Sequence, residues 1–305
     1  MAVTVGTAQA EDYPTKPVTL IVNYPAGGGS DAIARSFGKA LEKELGQPVP
    51  VENVAGGSAT RGVTAVVTAP ADGYTIGIAT NSPLTFAAHT VEGLPWGSPD
   101  TYDLIAGIGS LYNVLAVQPD ASYTNLEELV AYAKKHPGEL RVATVGGGLN
   151  QYLWDQFTAS VGIETQIVPY SGDADGLAAF LGGNTELVEL TWSGTKPHID
   201  AGKAKPIALF GPERLDNYPN IPTFKELGYD ITTTSDYVIY APKGIPAEIR
   251  GKIQSAVGDA VKNDADLRKA LVNRGIVINY VTGEELKPRF VEMYENVGQA
   301  KKKGN

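Results

Sequence analysis

The chain has 305 residues, enough for two compact units, and its 43% hydrophobic and 19% charged residues are ordinary for a globular protein. Its formal net charge of −9 argues against nucleic acid and anionic membrane surfaces as partners, and no apolar run is long enough to span a membrane. Cysteine is absent, which excludes disulfides, thiolate metal sites and a cysteine nucleophile.

Near the N-terminus, Ala8-Gln-Ala10 has the small-residue pattern of a signal-peptide cleavage site. The residues before it are too few for an intact basic and apolar signal. We therefore interpret residues 1–10 as the remnant of an export signal behind an added start Met, which predicts an exported protein. The alternative interpretation is a disordered tail.

The most informative segment joins a predicted strand to a predicted helix. Residues 18–22 form an apolar, β-branched run, three glycines follow at 27–29, and Ser30 and Asp31 open an amphipathic helix that ends at Gly46, with Ser30 as the expected N-cap. A glycine turn before a helix presents free N–H groups at the positive end of the helix dipole, which is an anion site without a charged side chain. For this segment alone, a plain tight turn stays open as the alternative.

A second segment of the same design follows later in the chain. Residues 140–145 predict a strand, glycines occupy 146–148, and a helix begins at Leu149. Neither glycine loop has the G-x-G-x-x-G pattern with a downstream acid, nor the Gly-Lys-Ser/Thr ending of a nucleotide loop. The predicted anion is therefore a small carboxylate rather than a polyphosphate.

Strand and helix patterns alternate along the chain, which predicts an α/β protein with largely parallel sheets. Thr124-x-x-Glu127 and Thr282-x-x-Glu285 predict capping boxes at two helix starts. Further strands are predicted at 49–54, 74–80, 104–118 in two pieces, 166–170, 185–192, 206–210 and 237–240. The domain prediction is a first lobe of residues 11–116 and 224–305, with residues 117–223 inserted as a second lobe.

An ordered set of short motifs runs from about residue 13 to the C-terminus. It comprises Tyr13-Pro-x-Lys-Pro17, the Ala-Gly-Gly-Gly-Ser-Asp loop at 26–31, Leu45-Gly-Gln-Pro-Val49, Ala71-Asp-Gly-Tyr-Thr75, Val168-Pro-Tyr170, Leu181-Gly-Gly183, Pro219-x-Ile-Pro-Thr223 and Ala241-Pro-x-Gly-x-Pro246. Each motif is weak alone, but together they resemble the periplasmic solute-binding proteins of tripartite tricarboxylate transporters, the Bug family.

The resemblance implies a type II periplasmic-binding-protein fold, in which two α/β lobes enclose a ligand cleft. It also implies the capture of a small organic carboxylate for the membrane permease subunits of such a transporter. A di- or tricarboxylate, an aromatic acid and an acidic amino acid all stay open as ligands. The expected protein is a periplasmic monomer without catalytic activity, cofactor or metal.

The resemblance further implies which residues bind the ligand. In the first lobe these are Tyr24, Ala26, Gly27, Gly28, Gly29, Ser30, Asp31, Thr80, Asn81, Ser82 and Asp236. In the second lobe they are Gly147, Gly148, Leu149, Asn150, Tyr170, Asp173, Thr191 and Trp192. Structural roles stay open beside these, since Asp173 could cap a helix, Tyr170 and Trp192 could belong to a core, and the charge of Asp31 disfavours contact with an anion.

The sequence also leads to an expectation about how the ligand's charge is recognised. The nearest basic residues along the chain are Arg35, Arg61 and Arg141, and only Arg61 is placed to reach a carboxylate. Backbone N–H groups at the glycines should therefore carry most of the charge recognition, with Gly28 expected to need a positive φ.

Two other function classes stay open at this point. A receptor that presents its ligand to a membrane sensor differs from a transport receptor only in its partner. A hydrolase or transferase is less well supported, because the chain has no G-x-S-x-G or H-E-x-x-H motif and its three histidines share no metal-ligand spacing.

Overall fold

The computed structural model describes residues 13–57, 59–145, 149–170, 172–232 and 234–303. The chain divides into two compact units. Unit 1 comprises Met1–Gly109, Asp236–Arg274 and Ile278–Asn305, and unit 2 comprises Ser110–Ser235 and Gly275–Val277. The interpretation of residues 1–10 as a signal remnant lies outside the described residues.

Strands and helices alternate along the described chain. In chain order the strands are β1 (Thr19–Val22), β2 (Val51–Asn53), β3 (Thr75–Thr80), β4 (Tyr102–Val117), β5 (Arg141–Val145), β6 (Gln166–Tyr170), β7 (Leu187–Thr191), β8 (Lys205–Leu209), β9 (Thr234–Pro242) and β10 (Val281–Thr282). The helices are α1 (Gly29–Leu45), α2 (Thr60–Val67), α3 (Asn81–Thr85), α4 (Ala87–Thr90), α5 (Leu126–Lys135), α6 (Leu149–Val161), α7 (Asp173–Leu181), α8 (Trp192–Asp200), α9 (Ala247–Asn263), α10 (Ala265–Asn273) and α11 (Gly283–Lys303).

Strand β4 is continuous, so the prediction of two pieces over 104–118 is wrong. Gly107 does not end the strand, because its missing side chain leaves room for Val281 of β10, whose Cγ2 would lie 2.8 Å from a Cβ at that position. The division into units falls within β4, after Gly109, and again after Ser235. The predicted lobe boundaries at 116/117 and 223/224 stay a prediction.

In unit 1, β1 lies between β2 and β3, and both pairs are parallel, as the sequence pattern predicts. Strand β9 then pairs antiparallel with β3, which the pattern did not indicate. Helix α1 covers this sheet with Ile33, Phe37 and Leu41, which are at most 2% exposed and recur at helical spacing. Its end at Gly46 (φ 66°) is the predicted left-handed C-cap.

In unit 2, β5 lies between β6 and β7 in parallel, and the second half of β4 pairs antiparallel with β7 and β8. The core beneath the sheet is aromatic. Phe224 stacks on Phe210 with ring centroids 4.2 Å apart and meets the edge of Phe157 at 5.0 Å. Trp154 is fully buried in the same cluster, so this unit has a core of its own.

One of the two predicted capping boxes is confirmed. At α11, the Glu285 carboxylate accepts hydrogen bonds from the Thr282 N–H and hydroxyl, and the Thr282 Oγ1 accepts from the Glu285 N–H. At α5 the N-cap is one residue later than predicted, and the Glu128 carboxylate, not that of Glu127, accepts from the Thr124 N–H and hydroxyl. Asn125 is the N-cap there, because its short side chain reaches the Glu128 N–H at 2.9 Å.

Gly77 of β3 is the position where the unit 1 sheet depends most on a missing side chain. A Cβ there would lie 2.4 Å from ring atoms of Tyr240, the residue opposite it on β9, which is fully buried. We expect Gly77→Ala to lower the free energy of unfolding by about 1–3 kcal/mol or more, measured by chemical denaturation. Gly97→Ala is the control, since a Cβ at Gly97 meets no atom within 4 Å. Equal stability of the two variants would contradict the proposed crowding.

Candidate functional site

The start of α1 differs in detail from the sequence expectation. Gly28 is the N-cap, with an extended backbone (φ −80°, ψ 176°), and the helix begins at Gly29. The expectation that Ser30 is the N-cap is therefore wrong, and so is the expectation of a positive φ at Gly28. The left-handed residue is Gly27 (φ 83°), where a side chain would be strained.

The Asp31 carboxylate lies inside this glycine loop. It accepts hydrogen bonds from the Gly27 N–H at 2.9 Å, the Asn53 Nδ2 at 2.9 Å and the Arg35 Nε at 3.1 Å. The side chain is buried, and the hydrogen bonds from Arg35, Gly27 and Asn53 lower its pKa to about 2. The loop thus already holds one anion, and Gly27 and Arg35 are engaged in binding it.

Asn53 joins the loop to the neighbouring strand β2. Its Nδ2 also donates to the Tyr24 carbonyl at 3.0 Å, and its Oδ1 accepts from the Arg35 Nη2 at 3.1 Å. These contacts hold the loop from inside while residues 25–29 stay exposed. The first N–H groups of a helix have no acceptor within the helix. Those of Gly29 and Ser30 can therefore donate hydrogen bonds to an acceptor on a ligand.

The predicted residues at the end of β3 contact two different parts of unit 1. Thr80 lies close to Tyr24, with their hydroxyls 2.8 Å apart, and burial raises the pKa of Tyr24 to about 12. Asn81 is fully buried instead, and its amide donates to the Met293 sulfur of α11 at 3.4 Å. Ser82 is half-buried in α3.

The predicted residue on β9 has a similar outcome. Asp236 is buried and forms an ion pair with Arg289 of α11. The next residue, Tyr237, places its hydroxyl 2.9 Å from the Ser30 Oγ. Successive side chains of a strand point to opposite faces, so if Asp236 faces α11 then Tyr237 faces α1. Tyr237 is thus a residue that the sequence analysis missed, although that alternation could have indicated it.

Arg274, the residue that follows α10, was also missed. Its Nη1 lies 3.7 Å from the point where a Cβ on Gly29 would stand, so its guanidinium lies against the start of α1. Arg274 is far from both glycine loops in the sequence. Only the packing of α10 against α1 brings this residue to the loop.

In unit 2, one hydroxyl links the starts of two helices. Thr191 is the N-cap of α8, where its Oγ1 accepts from the Gly194 N–H at 3.4 Å, and the same hydroxyl donates to the carboxylate of Asp173 at the start of α7. Burial raises the pKa of Asp173, and the Thr191 hydrogen bond only partly opposes that rise.

The other residues predicted in unit 2 differ in how deeply they are buried. Trp192 is buried in the core, where its ring meets Tyr218 edge-on at 4.6 Å. Tyr170 is half-buried at the end of β6. Leu149 and Asn150 are the first residues of α6. The prediction for Gly147 and Gly148 lies outside the described residues, so binding by the unit 2 residues stays a prediction.

Comparison with known proteins establishes the family. A family model described as the tripartite tricarboxylate transporter family receptor, TctC, matches residues 33–299. The chain belongs to this family. A UPF0065 protein of Bordetella pertussis is 33% identical over 256 residues, which cover 83% of this chain and 79% of that protein. The resemblance seen in the ordered motifs is therefore confirmed.

Solved structures of TctC-like proteins confirm the predicted α/β periplasmic-binding-protein fold. A TctC solute-binding protein from Polaromonas, solved with no ligand, is 27% identical with a TM-score of 0.82, and the match covers 94% of this chain and 99% of that one. An R. palustris protein solved with adipate is 26% identical with a TM-score of 0.76, covering 94% and 98%. The Polaromonas relative is a solute-binding protein. In the described part of our TctC-family chain, every helix is too short or too polar to span a membrane.

The buried Asp31 carboxylate predicts an acid-sensitive loop. A lowered pKa stabilises the folded state fully above the ordinary value of 3.8, and this contribution is lost as pH falls towards the folded value of about 2. We expect Asp31→Asn to lower the free energy of unfolding at pH 7 by about 1–2 kcal/mol, and the difference from the wild type to shrink between about pH 4 and pH 2.

Denaturant unfolding at a series of pH values measures this difference. Glu44→Gln, which removes an exposed acid from the same helix, is the control and should change stability little. A stability difference for Asp31→Asn that is independent of pH would show that the charge of Asp31 is not what stabilises the loop.

Proposed function

We propose that this chain is a periplasmic receptor that captures a small organic carboxylate and passes it to the membrane subunits of a tripartite tricarboxylate-type transporter. The observation that supports this best is the start of α1. An exposed glycine turn there presents helix N–H groups, while the one acidic side chain in the loop is already neutralised by Arg35, Gly27 and Asn53. A second anion is therefore not repelled by an uncompensated charge.

The class of anion follows from what the loop lacks. It has neither the lysine of a nucleotide loop nor the acidic residue that binds a ribose. A relative of the same fold, 26% identical, was solved with adipate, an aliphatic dicarboxylate. We therefore place dicarboxylates first among the candidate ligands.

The remaining parts of the proposal follow from the family. Binding is reversible and leaves the ligand intact, so no catalytic residue is assigned. The protein acts in the periplasm as a monomer. Beside the α1 loop we assign Tyr24, Thr80 and Tyr237 to the ligand environment. The Tyr237 hydroxyl contacts Ser30, and Tyr24, whose hydroxyl contacts that of Thr80, directly precedes the loop in the chain.

A thermal-shift screen tests the proposed ligand class. At about 100 times its dissociation constant, a ligand stabilises the folded state by roughly 2.7 kcal/mol. We expect at least one of adipate, malate, citrate, benzoate and glutamate to raise the melting temperature, and nucleotides and sugars to have no effect. A shift with sugars or nucleotides and none with any acid would contradict the proposal.

Gly28→Val tests the position of the site. The extended backbone of Gly28 accepts any residue, and a Cβ there would meet only the Pro25 carbonyl at 3.5 Å, so the variant should fold. Its branched side chain would occupy the space in front of the α1 N–H groups, and we expect carboxylate binding to be lost in isothermal titration. Gly97→Val is the control for a new side chain in open space. Unchanged affinity in Gly28→Val would place the ligand elsewhere.

A further inference from the structure

Arg274 is an exposed cation that lies against the start of α1. It directly follows α10, and its Nη1 is 3.7 Å from the position of a Cβ on Gly29. A carboxylate has two oxygens, and each can accept a hydrogen bond, so one such group can bridge two donors that lie this close together. The same external carboxylate can therefore accept from a helix N–H group and from the guanidinium.

In the part of the chain that the structure describes, Arg274 forms no ion pair. Among the described residues, no Asp or Glu lies within ion-pair distance of its guanidinium. Arg35, the other arginine at this loop, is bound to Asp31 at 2.9 Å and to Asn53. Arg274 is thus the cation at the α1 start that is available to a ligand.

The Tyr237 hydroxyl lies near Arg274 as well as Ser30. Burial raises the pKa of this hydroxyl, and both its hydrogen bond with Ser30 and the positive charge of Arg274 oppose that rise. The guanidinium, the Ser30 hydroxyl and the Tyr237 hydroxyl therefore lie in one neighbourhood. A guanidinium fork and two hydroxyls together supply several donors for one planar acid group.

We propose that Arg274 clamps the ligand's carboxylate against the start of α1, and that this side chain, rather than the backbone alone, supplies the positive charge of the site. The proposal rests on the proposed carboxylate-binding function. A local cation also offsets the repulsion that an anion meets from a chain with a net charge of −9.

Isothermal titration with the five acids of the thermal-shift screen tests the clamp in four proteins: the wild type, Arg274→Gln, Arg274→Lys and Lys269→Gln. Lys269 is exposed on α10, so its variant removes one positive charge from the helix that precedes Arg274. For whichever acid the wild type binds, we expect Arg274→Gln to weaken affinity by about tenfold or more and Lys269→Gln by less than about threefold. Arg274→Lys should be intermediate, because it keeps the charge but not the planar fork.

A purely structural role for Arg274 would give a different set of results. We expect the ligand-free Arg274→Gln protein to keep the wild-type melting temperature, and its affinity to depend less on salt than that of the wild type. Equal affinities of Arg274→Gln and Lys269→Gln would overturn the clamp while leaving carboxylate binding intact. If the wild type binds none of the five acids, the proposed function fails together with the clamp.

Discussion

The buried carboxylate of Asp31 is the interaction on which the β1–α1 loop depends. It collects the N–H group of Gly27, the amide of Asn53 and the guanidinium of Arg35 around one side chain. A loop with three consecutive glycines would otherwise have many conformations, and ordering it costs conformational entropy. An internal anion that is held by three donors fixes the loop before any ligand arrives, which reduces the cost of binding.

Much of the fold could be predicted from the sequence because its signals are local. The apolar run of β1, the amphipathic spacing of Ile33, Phe37 and Leu41, and the C-cap at Gly46 depend on neighbours within a few turns of chain. The ordered family motifs predicted the periplasmic-binding-protein fold, since they resemble those of a family in which these elements have a known arrangement. The continuity of strand β4 was missed, because the pairing of its first half with Val281 and Thr282 of β10 joins residues far apart in the chain.

The details of the candidate site were harder to predict, because they depend on residues far apart in the chain. Ser30 was expected to cap its own helix, but it contacts Tyr237, more than 200 residues later. Asp236 was expected in the site on the family resemblance, but it is Tyr237 that contacts α1, because successive side chains of β9 point to opposite faces. Arg274 is far from the glycine loop along the chain but close to Gly29 in the structure, so only the packing of α10 against α1 shows that it belongs to the site.

The hydrogen-bond donors at the start of α1 are backbone N–H groups, and this affects how the sequence of such a protein can diverge. A substitution removes a side chain but leaves the peptide N–H groups of Gly29 and Ser30 in place, provided that the helix still begins there. Mutational drift can therefore alter what surrounds the helix start without erasing its preference for negative charge. Ligand choice would be expected to diverge among relatives faster than anion binding itself, through exchange of the side chains that border the loop.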